Sequence, residues 1–114
     1  MNQDGEINIF KALDYIRDHS KEYAEAKANR VYLEEYRKSK KALLMREAEL
    51  AGHKTAATQE REAYAHKDYI ELLEGLKSAI EQEESLRWLI VAAQAKVSVW
   101  QTIEATRRIE IKAV

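Results

Sequence analysis

The chain contains no cysteine, no proline and only three glycines among its 114 residues. Without cysteine there is no disulfide framework, no thiolate zinc site and no thiol nucleophile. Without proline, and with glycine this scarce, a β-rich fold lacks the residues its many turns need. Aromatic residues make up only 8%. Long apolar runs are missing too: the most apolar window, residues 86–100, is 15 residues long and contains Arg87, Gln94 and Lys96, too short and too polar to cross a bilayer. The opening MNQDGEINIF has neither the basic start nor the apolar stretch of a signal peptide. Together these absences predict a soluble, cytoplasmic, all-α chain with no membrane contact and at most one domain.

Charge and helix formers fill the space. Charged residues make up 34% and apolar ones 46%, a balance unlike that of a disordered tail. Lys+Arg 19 against Asp+Glu 20 gives a net charge of −1 that hides an uneven distribution. Residues 1–20 carry net −2, residues 21–54 net +3, residues 60–84 net −5 and residues 85–114 net +3. From Arg37 to Arg46 there are five basic residues and no acidic one. Binding to a polyanion follows such local charge rather than the sum.

Capping residues divide the text into helices. Asn8 suits the N-cap of a short helix over about residues 8–18. Ser20 suits that of a long helix over about 21–51, closed by Gly52 at the C′ position. Thr55 or Thr58 can open a linker helix over about 55–65. Asp68 with Glu71 three residues on is a capping-box variant for a last long helix over about 69–109, in which Gly75 costs about 1 kcal/mol. In that helix the positions 72, 76, 79, 83, 86, 90, 93, 97, 100, 104, 107 and 111 form a 4-3 repeat, and nine of the twelve are apolar. This is a coiled-coil seam. The middle helix offers a thinner one of Tyr32, Tyr36, Ser39, Leu43 and Leu50. The expected architecture is a single helical domain, residues 1–114: a long antiparallel helical hairpin with coiled-coil character plus short N-terminal and linker helices.

The last helix also predicts self-association. Eleven of the fifteen residues from Leu86 to Trp100 are apolar, and they lie all round the helix. Burial on several sides follows, and one hairpin partner covers one side only. A homo-oligomer whose interface takes in Leu86, Trp88, Leu89, Ile90, Val91, Val97 and Trp100 is expected.

Catalytic patterns are scarce. His19, His53 and His66 stand apart, and the i, i+4 pairs Glu49–His53 and Glu62–His66 lack the i, i+3 spacing of di-iron bundles. Glu81, Glu83 and Glu84 read as solvated helix surface. No nucleophile elbow or phosphate-cradling glycine loop is present. The expectation is no enzyme, no metal and no cofactor.

The basic block is the sharpest feature. On a helix, Lys27, Arg30, Arg37, Lys38 and Lys41 fall within a stripe of about 100°, with Lys40 adjoining it. Tyr23 shares the stripe, Glu34 interrupts it, and it lies opposite the Tyr32–Tyr36–Leu43 seam. Cations that hold phosphates beside a ring that stacks on bases are what sequence-neutral single-strand binding requires. An ordinary face pairing with acids of residues 60–84 is the competing reading, and an acidic protein partner is a third.

Three runs carry a resemblance: YAEAKANRVYLEEYRKSKKALLM (residues 23–45), TAATQEREAYA (55–65) and YIELLEGLKSAIEQEESLRWLIVAAQAKVSVWQT (69–102). They resemble small helical proteins of tailed phages that are encoded near recombination genes. The layout is similar to that of UvsY-type recombination mediators, with a long helix bearing Tyr and clustered Lys/Arg, a short link, and a helix of mixed apolar and aromatic residues. The resemblance spans roughly residues 20–108. Where such mediators carry a basic region and aromatics before the second helix, this chain has Lys54, Arg61, Tyr64, Lys67 and Tyr69 among acids. The resemblance implies single-stranded DNA binding, ring assembly and help in loading a recombinase onto strands covered by single-strand-binding protein. The expected function is therefore a recombination mediator acting in the host cytoplasm. It would hold single-stranded DNA through Tyr23, Lys27, Arg30, Arg37, Lys38, Lys40 and Lys41. The alternative is a non-enzymatic interaction scaffold, or an inhibitor of a host protein, using the acidic 60–84 surface.

Overall fold

The computed structural model describes residues 6–113, and among them there are three helices and no strand: α1 (Ile9–Leu50), α2 (Ala56–Ala65) and α3 (Lys67–Ala113). The chain divides into two compact units. One takes Met1–Ala24 with Glu84–Val114, and the other takes Glu25–Glu83.

The caps explain the helix limits. Asn8 opens α1 as expected, its Oδ1 accepting the Lys11 backbone N–H at 3.0 Å. The break expected at Ser20 does not occur. The Ser20 hydroxyl instead donates to the Ile16 carbonyl one turn back, and α1 runs unbroken for 42 residues. A serine whose hydroxyl bonds the preceding turn is compatible with a helix interior, and no glycine or proline interrupts this stretch. Gly52, at φ 110°, closes the helix. The His53 N–H reaches the Ala48 carbonyl at 3.1 Å and the Gly52 N–H reaches that of Glu49 at 3.1 Å, which is a Schellman motif. Thr55 caps α2 through the Thr58 N–H at 3.2 Å. The last helix opens on His66 rather than Asp68: the His66 carbonyl accepts the first helical N–H groups of α3, and its Nδ1 accepts the Asp68 N–H at 3.0 Å.

In the Glu25–Glu83 unit, α1 and α3 run antiparallel, with Lys40 against Asp68 at one level and Arg30 against Glu83 at another. Leu44, Ala63 and Tyr69 form the core cluster where α1, α2 and α3 meet, with Met45 packed on it. Leu76 and Ala79 continue the buried row of α3, as its 4-3 repeat predicts. In the other unit the same repeat supplies buried Ala93 and half-buried Leu86, Ile90, Val97 and Trp100, while Ala12 is the buried residue of α1.

The inner row of α1 corrects the expected seam. Tyr32, Tyr36, Ser39, Leu43 and Leu50 are all exposed, Tyr32 at 63% and Leu43 at 57%. The covered row is Ala26, Arg30, Leu33, Arg37, Lys40 and Leu44, another 4-3 repeat. Apolar content alone favoured the tyrosine row. The buried Glu83 carboxylate on α3 requires a cation opposite, however, and Arg30 lies on the other row.

Candidate nucleic-acid interface

Facing α3 changes what the basic stripe can do. Arg30 is bound by the Glu83 carboxylate through Nε at 2.6 Å and Nη2 at 3.1 Å, and by Glu34 through Nη1 at 3.1 Å. Glu83 foremost, with Glu34 adding to it, holds the guanidinium above the ordinary arginine range against desolvation. Arg30 is thus a structural cation rather than an open phosphate ligand. Lys40 lies 3.6 Å from Asp68 and is half-buried. Tyr23, in the other unit, is also half-buried, with part of its ring already covered. None of these three lines the cleft formed by Arg37, Lys38 and Lys41. Lys27 stays exposed on α1.

Three members of the set remain together. Arg37, Lys38 and Lys41 line an open cleft of about 290 Å³ whose other walls are Tyr64, at the end of α2, and Tyr69, in the first turns of α3. Two consecutive turns of α1 place the cations. Tyr64 and Tyr69 flank His66, so the chain reversal between α2 and α3 brings the rings edge-to-face with centroids 5.3 Å apart. Tyr69 is buried and forms the floor, whereas Tyr64 is 44% exposed. Lys41 Nζ lies 4.7 Å from the Tyr64 ring centre and 3.4 Å from Glu60. Tyr64 first, and Glu60 after it, hold the Lys41 ammonium above its ordinary value, with burial opposing them. Lys38 is exposed and sits 3.2 Å from Glu35. Arg37 is half-buried and, among the described residues, makes no ion pair.

Composition alone did not bring Tyr64 and Tyr69 into the site, since both stand among acids in the sequence. Their spacing of five residues across a helix break was the available signal. The cleft offers charges that can hold phosphates, an accessible ring for stacking and an unpaired guanidinium that suits either.

Two of the three histidines lie beside carboxylates. His53 lies 3.3 Å from Glu62, and His66 lies 3.7 Å from Glu47. Among the described residues no group of three or more His, Asp or Glu could hold a metal ion, and no helix is long and apolar enough to cross a membrane. Of the expected oligomer contacts, Leu86, Ile90, Val91, Val97 and Trp100 are half-covered within their own chain, whereas Trp88 and Leu89 are exposed. No protein-family model, curated protein or solved structure matches the chain.

Proposed function

We propose that this protein is a self-associating, non-catalytic binder of single-stranded DNA that assists recombination as a mediator does, helping a recombinase onto strands covered by single-strand-binding protein. The observation that carries the binding is the cleft of Arg37, Lys38 and Lys41 against Tyr64 and Tyr69. Duplex DNA hides its base faces, so a half-exposed tyrosine beside cations favours unpaired strands. A cleft with three cations, two of them already near carboxylates, binds weakly on its own. Repetition in an assembly then raises the affinity through effective concentration. Recombination as the setting rests on the sequence resemblance, and the cytoplasm of the host cell would be the compartment.

Fluorescence anisotropy with labelled oligo-dT at low salt tests the reading. Wild type should bind oligo-dT better than a duplex of equal length, and Arg37→Ala with Lys41→Ala should abolish binding while helicity stays unchanged. Absence of oligo-dT binding would overturn it. The second reading, an interaction scaffold, is favoured by the exposed apolar residues of α1, Tyr32, Tyr36 and Leu43 among them.

A further inference from the structure

Helix α3 carries a second 4-3 row besides the one turned into its own chain. It starts at Ser85, passes through Trp88, Ala92, Ala95 and Val99, and ends at Ala113, and every position on it is exposed. Seven of the residues from 85 to 113 are charged, yet none of them falls on this row. Trp88 is 57% exposed, Val99 50% and Ile109 68%. Thr102 and Thr106, also on the row, donate their hydroxyls to the carbonyls of Ser98 and Thr102 at 3.2 and 3.1 Å. Their hydroxyls are thereby satisfied within α3. A solvent-facing helix side ordinarily collects charge, so an uncharged exposed row of this length calls for a cover.

We infer that the cover is a second copy of this chain, docked α3 against α3 in antiparallel orientation. Area leaves room for a docked partner. The chain exposes 8690 Å², against about 6,400 Å² for a compact monomer of its mass. The surplus exceeds the roughly 800 Å² per partner that a specific interface buries. The unit that carries the row also needs support, since Ala12 and Ala93 are its only buried residues among those described.

Side-chain size selects the copy and its direction. Centred near residue 97, an antiparallel pair sets Trp88 against Thr106 of the second copy, Val99 against its Ala95 and Ile109 against its Ser85, large against small in these three layers, with Ala92 against Thr102 in the fourth. A parallel in-register pair sets Trp88 on Trp88 and Ala92 on Ala92, crowding one layer and hollowing the next. The antiparallel register also puts Glu84 opposite Lys112 at both ends. Lys96 meets its copy at the centre, where the long stems spread toward solvent. The inference rests on the self-association in the reading above and makes no use of the basic cleft.

Two measurements on the full chain test it. In sedimentation equilibrium at micromolar concentration, wild type should show at least twice 13.2 kDa. Ala95→Asp, a change at a position exposed in the single chain, should weaken self-association well over tenfold with helicity unchanged. Because the chain has no cysteine, single replacements then read direction. Ser98→Cys, beside the two-fold axis, should form a disulfide-linked dimer on mild oxidation. Ser85→Cys, about 36 Å from its copy, should not. A monomeric wild type, an Ala95→Asp variant of wild-type mass, or equal cross-linking at both positions overturns the inference. Loss of oligo-dT binding with the dimer intact would instead sink the nucleic-acid reading alone.

Discussion

Arg30 and Glu83, 53 residues apart, meet through two parallel hydrogen bonds of 2.6 and 3.1 Å between α1 and α3. A bidentate pair fixes direction as well as distance, so it holds the register of the two helices. Apolar contacts tolerate some sliding, whereas a buried carboxylate does not.

Breaking this pair should therefore cost more than its position suggests. Glu83→Ala, at fixed protein concentration, should lower Tm by roughly 5 °C or more. Arg30→Met combined with Glu83→Met should recover most of that loss, because neither charge is then left unpaired. Strict additivity of the single changes, measured by calorimetry, would show that the two groups are uncoupled.

Assembly should be visible in stability. If a second copy covers the exposed apolar surface, Tm should rise by several degrees over a hundredfold increase in protein concentration. A flat midpoint would mean that each chain stands alone.

Salt separates the two components of the cleft. With three cations at about −0.7 each, log affinity for oligo-dT against log salt should fall with a slope near −2 per subunit. Arg37→Ala should flatten that slope. Tyr64→Ala should cost about 1–3 kcal/mol with the slope unchanged, because stacking releases no counterions. Tyr23→Ala should leave binding at the wild-type level. Titrations at several salt concentrations decide all three.

The two described glycines should respond in opposite directions. Gly52 sits at φ 110° with open space where a Cβ would go, so Gly52→Ala should destabilise by about 1–2 kcal/mol through backbone strain alone. Gly75 lies inside α3 with the same open space, so Gly75→Ala should stabilise by about 0.5–1 kcal/mol. Chemical denaturation of both variants reads the signs.

Local signals were legible where a single residue decides the outcome. Asn8, Gly52 and Thr55 act as caps because each needs only its own side chain or φ and the next turn. Ser20 misled because the same hydroxyl can cap a helix or bond the preceding turn, and the neighbouring text does not choose between them. In the candidate site, Arg37, Lys38 and Lys41 were legible as one face of a helix. Tyr64 and Tyr69 join them through the reversal at His66, which periodicity does not describe.

By itself the sequence determined that the chain is helical and which row of α3 turns inward as far as Trp100, since absent proline, scarce glycine and a 4-3 apolar repeat leave a chain few other conformations. Only the tertiary structure decided which face of α1 turns inward. Both candidate rows of α1 repeat at the same spacing, so period alone cannot choose between them. The choice fell to a contact between distant residues: burying Glu83 requires Arg30 opposite, and that pairing leaves Tyr32, Tyr36 and Leu43 in solvent. Desolvating a carboxylate without a partner costs more than leaving a few apolar side chains exposed.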